Sequence, residues 1–275
     1  MPLCTLYLLS LHSTRPASPL KTFLTTLQTT SLTPLVISRV IRWVILPTTF
    51  STDHLLARNI HWDILLILPG TPALPSVLQS LIQHQWSITA GVPSRLTQDF
   101  AQKNDALLRS SGATPTFNPP HTTSSAQALE LSADLAVWIK NFLASGTSEA
   151  RGAVSMFNLL SFRPGMKASY LEYGKAFAAS IGKNHGGNAK IVGGVTNMDG
   201  VARDAEKGDG LGWDEITLAH YPSIAHFAEM LVDEEYQAVN HKHRVPALRD
   251  TAILMTSEVG IREMMDEGAG LKGRL

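Results

Sequence analysis

The sequence predicts an α+β chain of two tandem β-α-β-β-α-β repeats, and three observations carry that prediction. Short matches recur in one order at nearly one spacing: Leu8-Leu9-Ser10 with Leu159-Leu160-Ser161 and Trp62-Asp63 with Trp213-Asp214, each 151 residues apart, and Val92-Pro93 with Val245-Pro246, 153 apart. Turn and cap signals divide both copies into the same succession of strands and helices. The chain is also long and apolar enough for a sizeable core, with 275 residues, 44% hydrophobic, allowing one large domain or two ordinary ones.

The first copy opens with a strand over 3–11, where Thr5, Tyr7 and the leucines favour extended backbone. A helix starts near Pro19, a residue suited to the first helical turn. Strands follow at 36–46 and 62–68, the second ended by Pro69-Gly70. Pro75 opens a helix expected to run to Trp86, and a short strand at 87–92 closes the copy. The second copy gives strand 153–162, helix 167–183, strands 189–197 and 213–221, helix 223–241 and strand 250–257. Between them, Ser110–Ser125 is rich in Ser, Thr and Pro and reads as a linker. The apolar spacing of 126–144 then predicts an amphipathic helix capped at Ser124 or Ser125 and stopped by Gly146. The organisation expected is therefore an N-terminal repeat, 1–109, a linker and helix, 110–150, and a C-terminal repeat, 151–275.

Composition excludes several function classes. Lys+Arg and Asp+Glu both count 23, so net charge is zero, and no basic cluster is present to neutralise a nucleic-acid backbone. The single cysteine, Cys4, excludes an intrachain disulfide and a cysteine zinc site, and with no cation nearby it reads as structural. The apolar start lacks a basic n-region and is far short of the roughly 20 residues that span a bilayer, so the expected address is cytoplasmic, with no membrane partner. Nucleophile-elbow, H-E-x-x-H and Walker A patterns are absent. Gly208–Gly212 precedes a strand instead of linking a strand to a helix, so it reads as part of a long hairpin loop, 197–212, that could act as a lid.

One β-α-β-β-α-β unit places both helices on one face of its sheet and leaves the other face to be buried. Two copies satisfy each other by packing sheet to sheet, and the space between the sheets is then the expected small-molecule pocket. Residues of the second copy carry a resemblance: Asn158–Phe162, Tyr170–Gly174, Gly186-Gly187, Trp213-Asp214-Glu215, Tyr221-Pro222-Ser223, Glu235-Tyr236 and His243-Arg244. Over about the last 120 residues the chain resembles the dimeric α+β barrel superfamily, a ferredoxin-like group, and within it a largely uncharacterised branch. The resemblance implies two ferredoxin-like repeats closed as an intrachain dimeric α+β barrel. Relatives usually dimerise to close the barrel; with both halves in one chain, a monomer or a homodimer is expected. The superfamily includes cofactor-free monooxygenases, lactone isomerases, polyketide cyclases, haem proteins and members of no known chemistry, so it does not select an activity.

Candidate site residues therefore come from the second copy. On its third strand Asp214, Ile216, Leu218 and His220 share one face and Glu215, Thr217, Ala219 and Tyr221 the other, with the cavity side undecided. Asn158, a mid-strand amide, is expected to face the cavity and hydrogen-bond a developing oxyanion. Asp214, Glu215, His220 and His243 are the candidate acids and bases, and Tyr173, Tyr221 and Arg244 the candidate substrate-binding groups, Arg244 as a clamp for a carboxylate or enolate. His241 and His243 lie two apart, not the i, i+4 spacing of helical metal ligands, so no metal or other cofactor is expected. From the first copy, Arg39, Arg42 and Asn59 are possible polar additions to an apolar wall. The function expected is a cofactor-independent enzyme of polyketide- or lactone-like metabolism working by proton transfer: isomerisation, cyclisation or dehydration of an apolar oxygenated small molecule. The alternatives are a non-catalytic metabolite-binding or interaction protein and a cofactor-free monooxygenase.

Overall fold

The computed structural model describes residues 1–13, 18–50, 60–109, 114–203 and 212–272. The first half runs β1 (Leu3–Leu11), α1 (Pro19–Leu27), β2 (Val36–Ile45), β3 (Ile64–Pro69), α2 (Ser76–Gln79), β4 (Ile82–Gly91), α3 (Ser94–Thr97) and α4 (Phe100–Arg109). Helices α5 (Ala133–Ala144) and α6 (Ser148–Arg151) connect the halves. The second half runs β5 (Val154–Phe162), α7 (Lys167–Ala176), α8 (Gly182–Asn184), β6 (Asn188–Met198) and β7 (Val201–Ala202). It ends with β8 (Glu215–Tyr221), α9 (Ile224–Val232), α10 (Glu234–Val239), β9 (Leu248–Ser257) and α11 (Val259–Lys272). Wider π-type turns, Phe177–Ile181 and Asn240–Arg244, prolong α7 and α10.

Among the described residues the nine strands belong to one antiparallel sheet in the order β4-β1-β3-β2-β9-β5-β8-β6-β7, and an additional β4–β6 pairing joins β4 to β6 in a ring with β7 outside it. The strand order β4-β1-β3-β2 of the first half is matched by β9-β5-β8-β6 in the second. Two seams hold the halves together. At one, Arg39–Ile45 of β2 pairs with Ile253–Ser257 of β9; at the other, Ile88–Gly91 of β4 pairs with Gly194–Met198 of β6. The second seam needs a glycine beside it. A Cβ on Gly193 would sit 2.9 Å from the Gly91 carbonyl oxygen and 3.0 Å from the Ala90 Cβ.

Alternate strand residues point into the ring or out toward the helices. Leu6, Leu8, Leu65 and Ile67 from the first half and Phe157, Leu159, Ile216 and Leu218 from the second form one buried cluster, so the ring interior is packed with side chains. Among the described residues, side chains of this cluster occupy the space between the sheets where the pocket was expected. The outward residues pack against helices in two further clusters, one within the first half and one in the second half that also takes in Val44 and Ile45 of β2.

The recurring Asp63 and Asp214 make the same bonds. The Leu11 N–H donates to Asp63 Oδ2 at 2.7 Å and the Phe162 N–H to Asp214 Oδ2 at 2.8 Å. The Asp63 and Asp214 N–H groups donate to the Leu9 and Leu160 carbonyls, both at 2.8 Å. Each of these residues is displaced by 151 positions from its twin. The repeated aspartate thus fastens the start of β3 or β8 to the end of β1 or β5.

Several helix boundaries differ from the sequence expectation. The helix expected to reach Trp86 stops at Gln79, and β4 begins at Ile82. The helix expected from residue 126 begins at Ala133: Leu129 has φ +59°, outside the helical region, and the Ser132 hydroxyl, not Ser124 or Ser125, accepts from the Leu135 N–H. Helices α4 and α11, which follow the last strand of each half, were not expected. Beside them lies a buried triad of Asn104 on α4, Lys190 on β6 and Glu258 just before α11: Lys190 Nζ donates to Glu258 Oε1 (2.6 Å) and Asn104 Oδ1 (2.9 Å), while Asn104 Nδ2 donates to Glu258 Oε2 (2.7 Å). Among the described residues no helix is long and apolar enough to cross a membrane.

Candidate functional site

The cavity that matters opens on the outer face of the second half, between β5, β6 and β8 on one side and α7 with its π-type turn on the other, and encloses about 480 Å³. Outward residues of β8 (Glu215, Thr217, Ala219, Tyr221) and of β5 (Met156, Asn158) form its sheet wall. Tyr170, Tyr173 and Phe177 come from the helix side, and Arg244 from the π-type turn after α10. Both π-type turns thus border the cavity. Such widened turns displace helical side chains and are frequent at functional sites. The first half also reaches it, through Pro93, Arg95 and Leu96 at α3, which the β4–β6 seam carries to the cavity rim.

The same place in the first half is filled. Tyr7, Ile64, Leu66 and Leu68 stand 151 positions before Asn158, Glu215, Thr217 and Ala219, and they are buried in a cluster with Phe23 and Leu27 of α1. One half carries an apolar core where the other carries polar groups around open space.

Glu215 supplies the carboxyl of the cavity wall. It is 8% exposed, and burial raises its carboxyl from 4.5 to about 7; Lys167 opposes that rise and Asp214 adds to it. Arg244 is 2% exposed. Its NH2 reaches a neutral hydroxyl, Thr251 Oγ1, at 3.5 Å, and among the described residues no carboxylate oxygen lies within 4.0 Å of it. Burial drives the Tyr170 and Tyr221 hydroxyls well above their usual range and also raises Tyr173, so all three are neutral donors. At Tyr170 the Arg244 charge and its hydrogen bond pull the other way. Tyr173 shares a 3.3 Å hydrogen bond with the buried Tyr236, and the Tyr221 hydroxyl donates to the Met230 sulfur at 3.3 Å.

The expected residues divide cleanly. Asn158, Glu215, Tyr173, Tyr221 and Arg244 all line the cavity. Asn158, however, donates its amide protons to the Met156 carbonyl (2.9 Å) and the Thr217 carbonyl (3.5 Å), so the expected donation to an oxyanion is corrected: what it offers the cavity is its Oδ1, an acceptor. Asp214 faces away and is committed to the Phe162 N–H, the Ser161 hydroxyl and an ion pair with Arg203 at 3.0 Å. His220 is on the ring-interior face of β8, fully buried, with neither ring nitrogen hydrogen-bonded, and desolvation pushes it down to about 3, with Lys190 and His226 adding to the fall. A neutral imidazole outside the cavity cannot be its base. His243 is half-buried beside Ser169 of α7, 3.4 Å from its hydroxyl, and also lies outside the lining.

Arg39 pairs with Glu149 at 3.1 Å and Arg42 lies over the Trp138 ring, both away from this cavity; Asn59 and most of the Gly208–Gly212 stretch lie outside the described residues. Cys4 is buried and its thiol is raised by desolvation. A second cavity, about 600 Å³, borders β2, α1 and α5, and its charged groups are already paired as Arg39 with Glu149 and His61 with Asp63. Sequence reasoning missed Tyr170, Thr217 and the α3 residues. The signal that could have found the sheet wall was the contrast between copies, since Asn158, Glu215 and Thr217 stand where the first copy has Tyr7, Ile64 and Leu66.

No family model matches the chain, and no curated protein does. Among solved structures it is similar to the RPA0582 protein of unknown function from Rhodopseudomonas palustris, with 26% identity over 43% of this chain and 89% of that one and a TM-score of 0.34. The methylated form of RPA0582 gives 26% identity, 43% and 87% coverage and a TM-score of 0.33.

Proposed function

We propose that the chain is a cofactor-independent enzyme that moves a proton on an apolar, oxygenated small molecule, of polyketide- or lactone-like character, bound in the cavity of the second half. One observation carries this reading: a buried carboxyl, Glu215, titrates near neutrality in an apolar cavity wall that also presents tyrosine hydroxyls and a buried arginine. An acid whose pKa is close to ambient pH can take a proton and give it back. Glu215 as carboxylate removes a proton from carbon next to a substrate carbonyl, and the Tyr170 hydroxyl, backed by Arg244, donates to the enolate oxygen. The protonated Glu215 then returns the proton to a different carbon, which completes an isomerisation, or to a departing hydroxide, which completes a dehydration. Asn158 Oδ1 accepts a substrate hydroxyl and orients it.

The scaffold belongs to the same proposal. Two ferredoxin-like repeats closed as an intrachain dimeric α+β barrel account for the matched strand orders and the twin aspartate bonds.

The test is carbon–hydrogen exchange in D₂O over a panel of 1,3-dicarbonyl compounds and unsaturated lactones, followed by NMR. Wild-type chain should accelerate exchange, and Glu215→Gln should lower the rate by about 10²-fold or more. His243→Ala should leave it unchanged. Wild-type exchange by Glu215→Gln would overturn the assignment, and saturable binding without exchange would make the chain a metabolite-binding protein instead.

A further inference from the structure

The charge around the cavity is one-sided. The whole chain is neutral, yet apart from its tyrosines the ionisable lining of this cavity is Arg244, Arg95 and Glu215, two cations and a carboxyl that is only partly ionised at neutral pH. Arg244 is the unusual member. A buried guanidinium normally sits against a carboxylate, because an uncompensated buried charge costs several kcal/mol. Here the group is 2% exposed, and the partners it meets are neutral hydroxyls: Thr251 at 3.5 Å and Tyr170, among tyrosines that stay protonated. Its planar fork of donors matches the two oxygens of a carboxylate. Arg95, by contrast, is exposed and stands at the rim on α3, so the half whose own equivalent cavity is filled places a positive charge at the entrance to its neighbour's.

We propose that the ligand of this cavity is an apolar molecule bearing a carboxylate, which pairs with Arg244 inside the cavity while Arg95 of the N-terminal half attracts it at the rim. The proposal deepens the functional reading above and rests on the same cavity, but it concerns what binds and not what is catalysed. The apolar part of the lining accounts for affinity toward the ligand's body, and a guanidinium with no carboxylate beside it among the described residues accounts for selection of its charge. Glu215 then addresses carbon chemistry elsewhere on the molecule and needs no ion pair with Arg244.

The test compares matched pairs that differ only in charge, naphthalene-2-carboxylate against 2-naphthamide and cyclohexylacetate against its amide, by ligand-observed NMR titration of the intact chain. Each carboxylate should bind at least about tenfold more tightly than its amide. Arg244→Met should erase that preference, Arg244→Lys should keep part of it, and Arg95→Ala should slow association while retaining the preference. Glu215→Gln should bind the carboxylates as well as wild type or better, even where it has lost carbon–hydrogen exchange. Equal affinity for acid and amide in the wild type, or no binding of either, would overturn the proposal without any variant having to fold. Loss of exchange in Glu215→Gln alongside equal acid and amide affinity would leave the proton-transfer reading standing and remove this one.

Discussion

Asp63 and Asp214 show why a residue that recurs is a poor candidate for chemistry in a chain like this. Both receive a backbone N–H at the end of the adjoining strand, and the first does so in a half where the equivalent cavity is filled. Asp63→Asn and Asp214→Asn should therefore each lower stability by about 1–3 kcal/mol in urea unfolding, the range for weakening a charge-assisted bond. They should differ in one respect. Asp214 helps raise Glu215, so Asp214→Asn should shift the pH profile of exchange to lower pH, and Asp63→Asn should leave it in place. Sequence reasoning proposed Asp214 and Glu215 together because adjacent carboxylates look alike in a string of letters. Strand alternation sends them to opposite faces, and which face held the cavity could not be read from residues that were mixed on both sides.

At the level of elements, long strands with clear alternation were legible and short helices were not. Strand β1 was expected over the residues it occupies, and β2 ended within one residue of its expected limit. The stretch from Pro75 to Trp86 misled because Val77, Leu78, Leu81 and Ile82 have helical spacing, whereas Ile82, His84 and Trp86 alternate with exposed glutamines and pair with β1. Tertiary pairing overrode a local period. Helices α4 and α11 escaped notice for a related reason: the buried polar contacts beside them, Asn104 of α4 with Glu258 just before α11 and with Lys190 on β6, are tertiary. Removing one member of that triad strands the others. Glu258→Ala should cost about 3–5 kcal/mol, the penalty for leaving a buried charge alone, and Glu258→Gln less, read as a fall in the urea midpoint. Exchange at the cavity should persist in whatever fraction remains folded.

For the molecule as a whole, two buried groups oppose one another in their dependence on pH. Glu215 is raised from 4.5 to about 7, so its contribution is full below pH 4.5 and declines by about 1.4 kcal/mol per pH unit up to pH 7. His220 is lowered from 6.5 to about 3, so its contribution is full above pH 6.5 and declines at a similar slope as pH falls toward 3. Between pH 4.5 and 6.5 the two slopes cancel, and these groups together leave stability flat. Glu215→Gln should expose the histidine limb, with stability falling on acidification below pH 6.5, and His220→Leu should expose the glutamate limb, with stability rising over the same interval. Urea midpoints at three pH values across the plateau decide it; parallel profiles in both variants and wild type would contradict the opposed burial. The mixed α+β class and the large antiparallel sheet were legible from the sequence. The position of the cavity was not, because a packed interior and an open one draw on the same leucines and isoleucines.

The ring of strands has a consequence for how the chain is made. Its seams pair strands distant in sequence, β2 with β9 and β4 with β6, so neither can form while the first half alone has left the ribosome. Until residues beyond 250 emerge, β2 has no partner on one side, and β4 waits for β6. Unpaired edges of this kind recruit other chains as readily as their own. Closure thus waits for the last strand of the ring, and the nascent first half is the stage at which a chaperone has most to shield.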